Sequence, residues 1–159
     1  MKTNNKTCGS LYTPKVMETF KNPHNYGRIK NADGIGKVGN PVCGDVMVLY
    51  IKVGKPDKKA KPILTGPSKS RPKASLVGEE VIKDIKFETF GCVAAISTSS
   101  IITDLVKGKT IKDALKITKD NIVKALGGLP KIKYHCSILA VDALAEAIKD
   151  YNAKAKSKK

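Results

Sequence analysis

Asp45-Val-Met-Val-Leu-Tyr-Ile-Lys-Val53 alternates in steps of two, with Met47, Leu49, Ile51 and Val53 on one face and Val46, Val48 and Tyr50 on the other. Successive side chains of a strand point to opposite faces, so apolar residues on both predict a well-buried strand. Val81 to Phe90 places Ile85 and Phe87 on one face and Asp84, Lys86 and Glu88 on the other. That is the pattern of a half-exposed strand. The two runs are expected to pair as an antiparallel hairpin whose connection is swollen by an insertion. The glycine-punctuated segment before them, Gly36 to Gly39, is the candidate third strand.

On either side of this hairpin the period changes to that of helices. Thr13-Pro14 supplies an N-cap and a first-turn proline for a short helix carrying Val16, Met17 and Phe20, and Asn22-Pro23 ends it. Cys92 to Lys107 is rich in small residues (Ala94, Ala95, Ser97, Ser99, Ser100), continues with Ile101, Ile102, Leu105 and Val106, and stops at Gly108. Thr110 with Asp113, and Thr118 ahead of Ile122, Val123 and Leu126, open two short capped helices, the second halted by Gly127-Gly128. A last helix is expected from about Cys136 to Tyr151, with Ile138, Val141, Ala145 and Ile148 as its apolar face. Strands first and helices afterwards predict an α+β fold, a small three-stranded antiparallel sheet with helices packed on one face. The expected organisation is one domain over 11–152, with an N-terminal extension at 1–10, a basic insertion at about 55–78 and a Lys-rich tail at 153–159.

The chain has 159 residues, a formal charge of +16 and 41% hydrophobic residues, which fits a folded domain and excludes a disordered basic tail. Lys55 to Lys73 carries seven basic residues against one acidic and four prolines, as expected of a surface loop. The second basic run, Lys149 to Lys159, suits the C-terminal end of a helix. Nucleic acid is a poor fit as partner, because there is no Trp and only 5% of residues are aromatic. No apolar run is long enough to span a bilayer, and Met1 to Thr7 lacks the apolar stretch of a secretory signal, so a soluble, cytoplasmic protein is expected.

In that compartment four cysteines read as reduced thiols for metal or sulfur chemistry. Cys43 lies in the turn Gly39-Asn-Pro-Val-Cys-Gly-Asp45 before a strand, Cys92 follows Gly91 between strand and helix, and Cys136 opens the last helix after His135. Elements meeting at one end of a sheet bring such turns together. At a helix N-terminus the dipole favours thiolate, which is expected for Cys92 and Cys136. Gly44 and Gly91 leave room for a bulky inorganic ligand. Three thiolates with His135 and Asp45 allow two kinds of metal centre. One is a Cys₃His zinc site, although such sites usually pair their ligands a few residues apart. The other is an iron–sulfur cluster, which tolerates widely spaced soft ligands and one harder, labilising oxygen such as Asp45. Cys8 is expected to be a free thiol on the N-terminal extension, and His24 an exposed residue that is not a ligand.

Gly39-Asn-Pro-Val-Cys-Gly-Asp45, Thr89-Phe-Gly-Cys92, Lys133-Tyr-His-Cys-Ser-Ile-Leu-Ala140 with Asp142-Ala143, and the opening Tyr12-Thr-Pro-Lys-Val-Met-Glu-Thr-Phe-Lys-Asn-Pro-His-Asn-Tyr-Gly27 resemble the IscU/NifU N-terminal family of iron–sulfur cluster assembly scaffolds. The resemblance covers about residues 11–152 apart from the insertion. It implies a carrier without turnover of its own. Such a carrier accepts persulfide sulfur from a cysteine desulfurase, combines it with iron and electrons from frataxin-like and ferredoxin partners, and holds a transient [2Fe-2S] cluster for apoproteins. It implies Cys43, Asp45, Cys92, His135 and Cys136 as cluster or metal ligands, with Cys136 as persulfide acceptor and Lys133 holding a thiolate or sulfide by charge. Tyr12 matches an N-terminal aromatic of the family, and a homodimer is possible on the same ground. The family's chaperone-recognition segment Leu-Pro-Pro-Val-Lys appears as Leu129-Pro-Lys-Ile-Lys133, a departure that leaves the chaperone pair open. The alternative is a zinc-binding sulfurtransfer partner of the desulfurase, as in the SufU relatives. Those carry their insertion between the second and third cysteines and lack the histidine, so His135 and the position of this insertion favour the IscU type.

Overall fold

A computed structural model describes residues 11–55 and 79–157. Most of the basic insertion, Cys8 with the N-terminal extension, and Lys158 and Lys159 lie outside the described residues. The elements run α1 (Pro14–Lys21), β1 (Gly34–Gly39), β2 (Val46–Gly54), β3 (Val81–Phe90), α2 (Val93–Val106), α3 (Ile111–Ala114), α4 (Lys119–Ala125), a 3-10 turn (Lys131–Lys133) and α5 (Tyr134–Ser157).

The three strands form one antiparallel sheet in the order β1-β2-β3. Pairing of Leu49 with Phe87 and of Ile51 with Ile85 puts the apolar sets of β2 and β3 on one face. Met47, Leu49, Ile51, Ile85 and Phe87 are fully buried there. A register shift after Lys52 turns Val53 partly out of this face, so it is half-buried. Val46, Val48 and Tyr50 on the opposite face are also only half-buried, and Phe90 is exposed, so β2 is less enclosed than its composition predicts. On that face Glu88 accepts hydrogen bonds from Arg28 Nε at 2.6 Å and Tyr50 Oη at 2.9 Å. The outer edge of β3 is covered by the chain at Asn25 to Gly27, where Gly27 N–H donates to Phe87 O at 2.8 Å and Phe87 N–H to Asn25 O at 3.0 Å. His24, exposed as expected, pairs with Asp104 at 2.8 Å.

The helices cover the apolar face: α5 lies across β1 and β2, α2 packs on β3, α1 packs on α2, and α4 on α5. The expected caps form. Thr13 Oγ1 accepts from Val16 N–H at 3.2 Å and donates to Leu126 O at 2.7 Å, and Thr110 Oγ1 accepts from Asp113 N–H at 3.1 Å. The hydroxyls buried in α2 are satisfied within the helix or across it: Ser99 donates to Ala95 O at 2.6 Å, and Ser97 to Val16 O of α1 at 2.9 Å. Such pairing lets small polar residues sit in a core without an unsatisfied group.

α5 departs from expectation in three ways. It begins at Tyr134, carried in by the 3-10 turn, so Cys136 is its third residue and does not open it. It continues to Ser157, past the expected end at about Tyr151, with Lys154 paired to Asp150 one turn back at 2.6 Å and residues 153–157 exposed. Its buried face is Cys136, Ser137, Leu139, Ala140, Ala143, Leu144, Ala147 and Ile148, whereas Ile138 is 43% exposed and Ala145 is exposed. Ile148 is the one member of the expected apolar face that is buried. The reason lies in β1, whose glycines let the helix backbone come close. A Cβ at Gly36 would lie 2.0 Å from Ala143 O, and one at Gly34 2.2 Å from Ala147 O. Alanines fit that contact and isoleucines do not.

Candidate metal centre

Three element starts converge at one end of the sheet. The turn before β2 is closed by Gly44 N–H donating to Asn40 O at 2.8 Å and Asn40 N–H to Asp45 O at 2.9 Å. Asn40 Oδ1 accepts from Val42 N–H at 2.9 Å, which holds Cys43 out at the tip. Gly44 has φ +72°, with nothing near its Cβ position, so glycine is needed there for backbone conformation and not for the space expected. Gly91 does supply space, since a Cβ would come within 2.9 Å of Asp45 Oδ1. Cys92 is the N-cap residue of α2, and His135 and Cys136 sit in the first turn of α5.

These turns bring all five expected ligands together. The side-chain donor atoms of Cys43, Asp45 and His135 lie within 4.8 Å of one another, and so do those of Asp45, Cys92 and Cys136. The two sets share Asp45, which is 5% exposed. Asp45 Oδ2 faces both inner thiols, 3.6 Å from Cys136 Sγ and 3.9 Å from Cys92 Sγ, and the two sulfurs are 3.9 Å apart. Cys43 is exposed, Cys92 half-buried and Cys136 buried, and none of the three is in a disulfide.

The donor set tests well against a metal ion. His135 Nε2 is buried with no hydrogen-bond partner among the described residues. A buried, unpartnered imidazole nitrogen costs free energy that a metal ligand bond removes. Cys136 is the correction to the thiolate expectation: burial first, then Cys92 and Asp45, pushes its thiol far above the ordinary cysteine range.

Lys133 and Tyr12 stand at the rim of this cluster. The Cys92 sulfur raises Lys133 above the ordinary lysine value against the opposing effect of burial, with Tyr12, Cys136 and Asp45 adding to it. Burial, then Cys92, raises Tyr12, and Lys133 acts in the opposite sense. Both expected positions are therefore within electrostatic reach of the sulfurs. Unforeseen from the sequence is an apolar fringe: Val42 is 94%, Phe90 81% and Ile132 74% exposed, each within three residues of a candidate ligand. Its signal was present as large apolar residues directly beside Cys43, Gly91-Cys92 and Lys133-Tyr134-His135.

A sheet end that gathers three cysteines, a histidine and a carboxylate from separate element starts presents a donor set suited to a thiophilic metal or an iron–sulfur cluster. The model of the NifU-like N terminal domain matches residues 11–62 and 74–158, and the chain belongs to that family. It is 52% identical over 141 residues to the iron-sulfur cluster assembly scaffold protein IscU 1 of Archaeoglobus fulgidus, covering 89% of this chain and 76% of that one. It is 42% identical over 140 residues to the scaffold protein IscU of Aquifex aeolicus, covering 88% and 75%. Among solved structures it resembles a protein described as a putative iron-sulfur cluster assembly scaffold for the SUF system, from Fervidobacterium islandicum. That match has a TM-score of 0.61 and 20% identity, covers 88% of this chain and 99% of the other, and bears on the fold alone. No helix of the described residues is long and apolar enough to cross a membrane.

Proposed function

We propose that this chain is an iron–sulfur cluster assembly scaffold that receives persulfide sulfur from a cysteine desulfurase, combines it with iron, holds a transient [2Fe-2S] cluster and passes it to apoproteins. The observation that carries the reading is the pair of ligand sets sharing Asp45, with His135 Nε2 buried and unpartnered. Cys43, Asp45 and His135 offer sulfur, oxygen and nitrogen to an incoming iron ion, while Cys92 and Cys136 face each other as a sulfur pair. A hard carboxylate among soft ligands makes the cargo easier to release, which suits a carrier better than a closed structural site. Cys136 is the acceptor in this reading, and Lys133 steadies the anionic sulfur beside it. The exposed Val42, Phe90 and Ile132 supply an apolar contact for the donor over a polar centre.

The test is anaerobic reconstitution of the full chain with iron, cysteine and a cysteine desulfurase, read by ultraviolet–visible absorption and metal analysis. Charge-transfer bands with about two irons per chain or per dimer, lost in Cys136→Ser, are expected. Asp45→Ala should give a longer-lived cluster, and an unchanged lifetime removes the labilising role. Colourless protein with stoichiometric zinc that stimulates the desulfurase would overturn the scaffold reading in favour of a sulfurtransfer partner.

A further inference from the structure

A persulfide delivers sulfur at the oxidation level of sulfane sulfur, whereas a cluster needs sulfide, so two electrons must enter at this site. The described cysteines are not equivalent towards that step. Cys43 sits on the exposed turn with His135 and Asp45, its sulfur 4.0 Å from Asn40 O. Cys92 faces Cys136 at 3.9 Å. Cys136 is fully buried, and its carbonyl oxygen lies 3.3 Å from Thr98 Oγ1 of α2. Cys92 is the N-cap residue at the edge of α2, where its carbonyl accepts from Ile96 N–H at 3.1 Å and its side chain makes no capping bond. Closing 3.9 Å to a disulfide bond of about 2.05 Å therefore falls to a half-buried side chain at a helix edge, with Cys136 as a fixed target.

We propose that Cys92 is the resolving thiol, which attacks the inner sulfur of a persulfide on Cys136 and releases the outer sulfur as sulfide. The inference rests on the scaffold reading, because it takes Cys136 as the sulfur acceptor. Cys136–S–SH and Cys92–SH become Cys136–S–S–Cys92 and H₂S. The bond between the two cysteine sulfurs forms, and the bond from Cys136 Sγ to the outer sulfur breaks with its electron pair going to that outer sulfur. The sulfane sulfur gains two electrons and the two thiols together lose two. The Cys92 proton leaves on H₂S, by way of Asp45 Oδ2, which faces both cysteine sulfurs. Sulfide is the conjugate base of a stronger acid than a cysteine thiol and leaves faster for that reason. Attack on the outer sulfur would only move the persulfide to Cys92. A dithiol, or two turns of a reduced ferredoxin-type donor, then returns the disulfide to two thiols. Cys43, Asp45 and His135 remain free to hold iron where the sulfide emerges.

The experiment uses the full-length, metal-free protein in a Cys8→Ser background, loaded by a cysteine desulfurase with cysteine and desalted without reductant. Released sulfide is measured as methylene blue, and cysteine states by alkylation and non-reducing peptide mass analysis. Equimolar sulfide and Cys92–Cys136 disulfide are expected, with Cys92→Ser and Cys92→Ala keeping the persulfide on Cys136 and releasing sulfide about tenfold more slowly or worse. Circular dichroism shows whether each variant is folded. A persulfide on Cys136 that persists in the wild type, wild-type sulfide release from folded Cys92 variants, or a disulfide joining Cys43 to Cys136 would overturn the inference and leave the scaffold reading standing. If no cysteine accepts sulfur, the scaffold reading fails. The pair is then tested alone by titration with an oxidised dithiol, where failure to form the Cys92–Cys136 bond refutes it.

Discussion

Gly36→Ala tests whether the close seating of α5 on β1 positions the ligands. The new Cβ would lie 2.0 Å from Ala143 O and 2.5 Å from Ala147 N, where ordinary contacts begin near 3.4 Å. Both atoms belong to the backbone of α5, so no side chain can swing away and the helix must retreat by about 1.4 Å. Overpacking of this kind costs roughly 1–3 kcal/mol, and a rigid backbone neighbour puts this case near the upper value, about 3 kcal/mol. For a domain of this size that lowers Tm by about 6–12 °C. Because His135 and Cys136 ride on the first turn of the same helix, affinity for Co²⁺ should fall with it. Gly39→Ala is the control, since its Cβ would meet nothing nearer than 3.7 Å and should change stability by less than about 0.5 kcal/mol. The assay is thermal unfolding of the metal-free, full-length protein by circular dichroism, followed by Co²⁺ titration through the thiolate charge-transfer band. Equal Tm values for the two variants would refute the packing argument. A large loss of stability with wild-type Co²⁺ affinity would refute the link from helix seating to the site.

Two further outcomes follow from the same contacts. His135→Ala should weaken Co²⁺ binding by at least about tenfold in a competition titration, while metal-free unfolding changes little because the buried Nε2 has no partner to lose. Wild-type affinity would remove His135 from the ligand set. Asp150 is held below its ordinary 3.8 by Lys154 first and the Ile35 N–H next, so it stabilises the fold above that value and the contribution is lost as pH falls through the lower folded value. Between about pH 4 and pH 2 the Tm of wild type should therefore fall more steeply than that of Asp150→Asn, and parallel curves would show that the pairing of α5 with β1 through Asp150 does not matter to stability.

The strands were legible in the sequence because a period of two leaves little choice of register once one face is buried. Met47, Leu49 and Ile51 find Thr89, Phe87 and Ile85 opposite them, as alternation requires. The helix starts were legible from Thr13, Thr110 and their partners, since an oxygen side chain before an apolar run has a local bonding reason to be there. The buried face of α5 was not. Helical spacing chose Ile138, Val141, Ala145 and Ile148, but close approach to Gly34 and Gly36 selects Ala143 and Ala147, a preference that exists only when two elements are already apposed. The five candidate ligands were legible as residue types at element starts, and the fold brings their side chains together. The upward push on the Cys136 thiol was not, because it comes first from burial, a tertiary property. Val42, Phe90 and Ile132 escaped notice because apolar residues are assigned inward by default.

The register of β2 on β3 also explains how a long insertion and the five-residue candidate site share one hairpin. Val46 pairs with Phe90, so Asp45 and Gly91-Cys92 continue side by side from the same end of the ladder. Slipping the pairing by two residues would keep every apolar side chain on its face, yet would carry Cys92 away from Asp45 by about 7 Å, far beyond ligand distance. The Leu49–Phe87 and Ile51–Ile85 pairs, and the register shift after Lys52, fix the alignment from within the strands. The connection leaves β2 at Gly54 and returns at Val81, which pair with each other at the opposite end. Eight residues of strand, about 26 Å, separate that end from Val46. Lengthening a loop costs only the logarithm of its length, so extra residues between Gly54 and Val81 raise the entropy of closure slightly and leave the geometry at Asp45 unchanged. An antiparallel hairpin with its ligands at the open end and its connection at the other can thus gain length in the connection without disturbing the chemistry.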